Sequence, residues 1–85
     1  SLSPLQRRIY QAIAAEAPDW PEGVDVQQII KRCNKHADVT QIQYFLYVFV
    51  TGDFLTLYRD AIDELANDGY IYQASDDTHY LTTAG

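Results

Sequence analysis

The sequence predicts a small α+β domain: three amphipathic helices followed by a two-stranded β-hairpin. Its 85 residues suffice for a single hydrophobic core. Apolar side chains recur with helical spacing through most of the chain, and strand-forming residues flank a turn near its end. The apolar content of 47% is typical of folded domains. We therefore expect residues 1–85 to form one domain.

The first helix has clear signals at both ends. Ser3 is a suitable N-cap, Pro4 fits the first helical position, and Gln6 completes a capping box. Pro18 ends the helix, and the stretch 17–23 is predicted to be non-helical because it holds two prolines and a glycine. The apolar face consists of Leu5, Ile9, Ala12 and Ile13.

The second helix follows a short extended piece at Val24. Asp25 caps it, and Gln28 stands at its third position. Its apolar stripe consists of Val26, Ile29, Ile30 and Cys33. A third helix is predicted to begin at Asp38, after a turn.

The end of the chain predicts the hairpin. Gly69 suits the left-handed position after a helix over 59–68. Strand formers at 70–72 and 80–82 flank a turn at 75–78. This order of elements is that of a winged helix-turn-helix.

Three further placements follow from these strands and loops. Ile71 lies between two tyrosines on a strand, so we expect it to face the core. Tyr70 and Tyr80 are expected to pair across the hairpin. Trp20 is expected to cover the core from its loop.

The segment 44–58 is unusually apolar, with eleven apolar residues in fifteen. One solution is a β-hairpin turning at 51–53. The other splits the third helix, with a first part over 39–50 and a second part over 54–68 that Asp53 caps. We favour the split helix, because helical sequence flanks the segment on both sides.

Removing residues 44–59 would leave one continuous amphipathic third helix. Its apolar residues would then fall at i, i+3, i+4 and i+7: Ile42, Ala61, Ile62 and Leu65. The segment 44–59 is therefore interpreted as an insert in the third helix, either an unspliced short intron or a lineage-specific insertion.

Charge is distributed unevenly along the chain. The formal net charge is −6, and no Lys or Arg follows residue 59. The acidic residues there are Asp60, Asp63, Glu64, Asp68, Asp76 and Asp77. This pattern argues against a general binder of nucleic-acid phosphates and favours a basic partner, although acidic side chains also serve solubility.

Several other functional classes find no support in the sequence. A single cysteine, Cys33, excludes a disulfide framework and a cysteine-rich zinc site. Asp76, Asp77 and His79 would make a poor metal site, because they lie on a turn that does not preorganise them. Catalytic motifs, membrane-spanning runs and a signal peptide are not found. We expect a soluble intracellular domain that is not an enzyme and needs no cofactor or metal.

Three pieces of sequence carry a resemblance to a known family. They are Pro21-Glu22-Gly23-Val24, Ala61-Ile62-Asp63 with Leu65, and the ending 67–72 followed by 76–80. In this order and spacing they resemble the carboxyl-terminal winged-helix domain of the middle subunit of replication protein A, the eukaryotic single-stranded-DNA-binding heterotrimer. The departures are the segment 44–59 and Asp68, where the family usually carries Glu.

The resemblance implies a nuclear protein-interaction module. Such domains bind short basic amphipathic helices of DNA repair and replication factors, whereas single-stranded DNA is bound by other parts of the complex. The other subunits would be contacted through regions outside this chain. The partner-binding residues implied by position are Asp68, Gly69, Tyr72, Gln73, Asp76, Asp77 and Thr83.

Two alternatives remain open at this point. The domain could bind DNA, with the helix before Gly69 in the major groove. It could also be an assembly domain that self-associates through the apolar segment 44–58.

Overall fold

The computed structural model describes residues 2–34 and 53–82, with the side chains of Asp53 and Phe54 excepted. These residues form a small α+β domain, as predicted, and the expected helix over 39–50 lies outside them. The elements are α1 (Pro4–Glu16), a 3₁₀ turn (Ala17–Asp19), β1 (Val24–Asp25), α2 (Val26–Cys33), α3 (Asp53–Asn67), β2 (Ile71–Gln73) and β3 (Thr78–Leu81).

The cap of α1 is the predicted capping box. The Ser3 hydroxyl accepts from the Gln6 N–H at 3.1 Å, and the Gln6 side chain accepts from the Ser3 N–H at 2.8 Å. The helix ends at Glu16, but the chain continues as the 3₁₀ turn Ala17–Asp19. The prediction of no helix was therefore wrong for these three residues, because Pro18 occupies the first turn, where its missing N–H costs nothing.

The start of α2 is also as predicted. Asp25 is its N-cap, and a carboxylate oxygen accepts from the Gln28 N–H at 2.9 Å. Val26, Ile29 and Ile30 are buried, whereas Cys33 at the end of the helix is only half-buried.

Within the described residues the sheet has three antiparallel strands in the order β1-β3-β2, so the prediction of a two-stranded sheet was wrong. The short piece at Val24 pairs with β3, in the register Val24↔His79 and Asp25↔Thr78. Gly23 precedes this strand at φ +105 and lies against Thr78 and Tyr80. A two-residue strand has no measurable periodicity, so the sequence could not show that it joins the sheet.

The tip of the hairpin is a tight turn closed by main-chain bonds. The Asp77 N–H donates to Ala74 O at 3.0 Å, and the Ala74 N–H donates to Thr78 O at 2.9 Å. Asp77 has φ 68, the left-handed conformation of a bulge residue that usually favours glycine and that Asp tolerates. The hydrogen bonds of the turn therefore fix the backbone of Asp77 in the domain without a bound partner.

The two interpretations of the apolar segment can be compared over residues 53–58, which belong to α3. Residues 53–58 are helical, so a hairpin through them is wrong. Tyr58 is buried in the core with 2% of its surface exposed. Gly69 follows the helix at φ +83, and the Tyr70 N–H closes it by donating to Leu65 O at 3.0 Å.

The core lies between the three helices and the inner face of the sheet. Its buried apolar residues are Ile9, Ala12, Ile13, Val24, Val26, Ile29, Ile30, Tyr58, Ala61, Ile62, Leu65 and Ile71. Trp20 packs against this core from its loop, and Ile71 faces inward, both as predicted.

The tyrosine pairing differs from the prediction. Tyr72, and not Tyr70, lies opposite Tyr80 in the strand register, with 6.2 Å between the ring centroids. Tyr70 instead makes an edge contact with Tyr10 of α1 at 6.3 Å. The predicted pairing was two residues away from the observed register of β2 and β3. A shift of two residues keeps each side chain on the same face, so the hydrophobic pattern does not distinguish the two registers.

Candidate protein-binding surface

The candidate surface follows the chain from the end of α3 to the tip of the hairpin, along the edge strand β2. We call it the hairpin surface; its described members are Asp68, Gly69, Tyr72, Gln73, Asp76 and Asp77. Thr83, the seventh predicted residue, lies outside the described residues. At roughly 3.3 Å per residue the path from position 69 to 74 is roughly 16 Å long, which matches about three turns of a helix.

The base of the hairpin surface presents a carboxylate. Asp68 is exposed directly after α3, and within the described ranges its side chain has no hydrogen-bond or ion-pair partner. Its neighbour Gly69 is tied to the other strand, because the Thr82 hydroxyl donates to Gly69 O at 2.6 Å. This clamp fixes the backbone from which Asp68 projects.

The middle of the hairpin surface presents an aromatic ring. Tyr72 is 59% exposed, the largest exposed fraction among the large hydrophobic residues described. One side of it rests on Tyr80, whose hydroxyl donates to the carbonyl oxygen of Glu22. Because Tyr80 is anchored in this way, it gives the ring of Tyr72 a fixed support. The rest of the Tyr72 side chain is exposed to solvent.

Gln73 and Asp77 lie on the other face of the hairpin. Successive strand residues alternate between faces, so Gln73 shares a face with its register partner His79 and not with Tyr72. The Gln73 amide donates to Asp77 Oδ1 at 3.2 Å. The predicted residues are therefore on one edge of the sheet but divide between its two faces.

Asp77 already has a cationic partner, which the sequence analysis missed. Arg59 of α3 donates to Asp77 Oδ2 at 2.9 Å and to Oδ1 at 3.4 Å. The hydrogen bonds from Arg59 hold the pKa of the Asp77 carboxyl below its usual value. The pair joins a helix to a turn across 18 positions, a separation at which sequence spacing gives no signal.

Asp76 has a structural role at the tip. Its Oδ1 accepts from the Thr78 hydroxyl at 2.6 Å and from the Thr78 N–H at 3.3 Å. The hydrogen bond from the Thr78 hydroxyl is the main cause that lowers the pKa of Asp76. The carboxylate is nonetheless exposed, so it adds negative charge to the surface.

His79 lies beneath the tip and is fully buried. Its Nδ1 is 2.7 Å from Val24 O, so Nδ1 carries the hydrogen, because a carbonyl oxygen only accepts. Its Nε2 has no hydrogen-bond partner among the described residues and lies 4.0 Å from Asp77 Oδ1. Within residues 2–34 and 53–82, no three metal-binding side chains lie together.

Apart from Arg59, the basic residues that the structure describes lie on another part of the domain, on α1 and α2. Arg8 and Arg32 line a shallow groove of about 340 Å³ beside Cys33. Arg32 pairs with Glu16 at 3.2 Å, and Arg8 donates to Cys33 O at 3.3 Å. Burial raises the pKa of the Cys33 thiol, which disfavours the nucleophilic thiolate. None of the described helices is long and apolar enough to cross a lipid bilayer.

Comparison of the chain with protein-family models, curated proteins and solved structures finds no match. The geometry of this α+β domain is therefore the basis for assigning a function: its edge strand carries an exposed tyrosine between carboxylates.

Proposed function

We propose that this domain is a protein-interaction module of the winged-helix type that binds short basic amphipathic helices on the hairpin surface. Within a eukaryotic nuclear complex that binds single-stranded DNA, it would recruit DNA repair and replication factors. The complex and the nucleus follow from the family resemblance alone. The observation that supports this binding mode is the exposed Tyr72, which lies between the exposed carboxylate of Asp68 and the acidic tip.

The chemistry of the surface matches that of a basic amphipathic helix. A tyrosine ring offers apolar area with a polar end, which suits the apolar side of such a helix. The carboxylates at both ends suit its Lys and Arg side chains, although Arg59 of the domain itself already pairs with Asp77. Exposed ion pairs contribute about 0–1 kcal/mol each, so we expect a Kd on the order of micromolar.

Direct DNA binding is the second candidate, and the described surface disfavours it. The exposed side chains of α3 include Asp60, Asp63 and Glu64, which would face phosphates if this helix entered the major groove. We expect no sub-micromolar binding of duplex or single-stranded oligonucleotides at about 50 mM salt, where phosphate contacts are strong. Tight binding with a steep salt dependence would favour the DNA-binding candidate instead.

Self-association is the third candidate, and one observation favours it. Leu57, within the apolar segment 44–58, is 55% exposed. Sedimentation velocity over a range of concentrations tests this candidate directly. A monomer at all concentrations would exclude it.

The proposed function is tested by calorimetric titration of the 85-residue chain with a synthetic basic amphipathic peptide of about 20 residues, roughly 30 Å of helix. Asp68→Lys should weaken binding at least tenfold, and Tyr72→Ala should weaken it by a similar factor. Asp19→Lys is the matched control, because Asp19 is an exposed acid in the 3₁₀ turn and its change alters the net charge equally.

The outcomes are distinct. Loss of binding in Asp68→Lys with retention in Asp19→Lys supports the hairpin surface. Equal weakening in both variants would show that only net charge matters and would contradict a specific site. Thermal melts of each variant check that the fold is unchanged.

A further inference from the structure

Arg59 is bound to Asp77, one of the carboxylates of the proposed binding site. Both of its terminal nitrogens face Asp77, at 2.9 and 3.4 Å. A guanidinium that makes two parallel bonds to one carboxylate reproduces the contact that a partner arginine would make. Asp77 is therefore occupied by a residue of its own domain.

The contact is weak enough to be exchanged. The side chains of Arg59 and Asp77 are 44% and 42% exposed. Exposed pairs of this kind contribute about 0–1 kcal/mol, because water screens the charges and two side chains lose freedom. A partner cation that is held by other contacts can therefore displace Arg59.

A second carboxylate is available to Arg59 once it leaves Asp77. Asp63 lies four residues further along α3, so it shares a helix face with Arg59. The hydrogen bonds that Arg59 donates to Asp77 are the main cause that raises the pKa of Arg59, and the negative charge of Asp63 adds to it. The order Arg then Asp is the weaker orientation of an i,i+4 pair, so Asp77 is preferred when no partner is bound.

We infer that Arg59 is an internal competitor for the proposed site: it occupies Asp77 in the free domain and moves to Asp63 when a partner's cation takes its place. This inference depends on the proposed function. It makes Arg59 a residue that limits affinity, although it lies outside the set of partner-binding residues that the sequence predicted.

The test compares affinities of single and double variants of the full chain for the same synthetic peptide. Arg59→Gln should tighten binding about threefold to fivefold, the equivalent of the weak pair that no longer has to be broken. Lys31→Gln on α2 is its matched control, since it removes the same charge from another exposed residue. Asp63→Asn should weaken binding about twofold more than Asp60→Asn, which is the control because Asp60 is another exposed acid on α3. The factor of about two corresponds to the energy of one i,i+4 ion pair.

The double variants identify the cause. In the Arg59→Gln background, Asp63→Asn and Asp60→Asn should have equal effects on affinity. Asp63 then has no Arg59 side chain to bind when the peptide occupies Asp77. A gain in Arg59→Gln no larger than in Lys31→Gln would overturn the inference while leaving the proposed function intact. No binding by the wild type or by any variant would overturn both.

An NMR titration of the wild-type protein tests the same inference without any variant, so it does not depend on whether a variant folds. The Nε–Hε resonance of Arg59 should shift as the peptide is added and should saturate with the binding curve. A resonance that stays fixed while the peptide binds would contradict the inference.

Discussion

The Nδ1 atom of His79 lies 2.7 Å from the carbonyl oxygen of Val24 and joins β3 to β1 inside the core. Both residues are fully buried, so this carbonyl oxygen is shielded from water. The bond is a side-chain supplement to the strand pairing Val24↔His79. It therefore helps to hold this two-residue strand in the sheet.

Replacing His79 by Leu should lower the free energy of unfolding by about 1–3 kcal/mol. The change removes the side-chain donor of a buried hydrogen bond to the Val24 carbonyl oxygen and puts an apolar group in its place. Urea unfolding of both proteins measures the difference. Tyr72→Leu, on the exposed face of the same hairpin, should change stability by no more than about 0.5 kcal/mol. Equal stability of His79→Leu and the wild type would show that the bond contributes little.

Gly23→Ala should destabilise the domain more than Gly69→Ala does. Both glycines have positive φ, +105 and +83, so an Ala side chain adds backbone strain of about 1 kcal/mol at either position. Only at Gly23 does the new Cβ also meet atoms, 2.5 Å from Thr78 Cβ and 2.8 Å from Tyr80 Cζ. At Gly69 the described residues place no atom within 4 Å of the new Cβ.

Thermal melts of the two glycine variants at equal concentration give the comparison. The expected order of melting temperature is wild type, Gly69→Ala, Gly23→Ala. The reverse order of the two variants would mean that β1 can move away from β3 at little cost.

Stability on the acid side should depend on Asp77. Its pKa is below the usual value, so the stabilisation is complete above the unfolded-state pKa of about 3.9 and is lost as the pH falls through the folded-state pKa. Asp77→Asn keeps a residue that tolerates the left-handed turn and removes the charge. At neutral pH it should cost about 1 kcal/mol or less, because the pair with Arg59 is exposed.

The check is a series of urea titrations between neutral pH and about pH 3, on either side of the ordinary Asp pKa. The wild type should lose more stability than Asp77→Asn below about pH 4, so the two curves should converge. Curves that remain parallel would show that Asp77 binds protons equally in the folded and unfolded states.

The local features of the fold were predictable, and the contacts between distant residues were not. The caps at Ser3 and Asp25 and the left-handed Gly69 were predicted because their residue types fit one backbone conformation. The burial of His79 was missed because a polar residue on a hairpin gives no signal that its donor meets a carbonyl 55 positions away.

The same limit applies to the candidate surface. The family resemblance implied the residues of this surface by position, and that assignment stays a prediction; the contact between Arg59 and Asp77 was not predicted. Arg59 was assigned to the end of the apolar insert, although α3 places it beside the hairpin tip. Position within a helix face, and not membership of a sequence segment, decides which charges meet.

Excision of residues 44–59 tests the insert, and the structure gives it a specific expectation. The described part of this segment contributes Tyr58 to the core and Arg59 to the pair with Asp77. After excision Gln43 would precede Asp60. Ile42 and Gln43 would then take the helix positions of Tyr58 and Arg59, so that an apolar residue still meets the core while Asp77 loses its partner.

We therefore expect the excised protein to fold, to be monomeric and to melt cooperatively. It should also bind the basic peptide more tightly than the full chain does, because no Arg59 competes for Asp77. Adding Gln43→Arg to the excised protein should reverse that gain, since it returns an arginine to the same helix position. The full chain should self-associate, because it retains the eleven apolar residues of 44–58.

Sedimentation, thermal melts and peptide titration on the three proteins at equal concentration separate these expectations. An excised protein that is unfolded, beside a full chain that is a stable monomer, would show that Ile42 cannot replace Tyr58 and that the segment is an integral part of the core. An excised protein that folds but binds the peptide no more tightly than the full chain would support the interpretation of 44–59 as an insert. It would instead contradict the competition by Arg59, because the two ideas depend on different residues of the same helix turn.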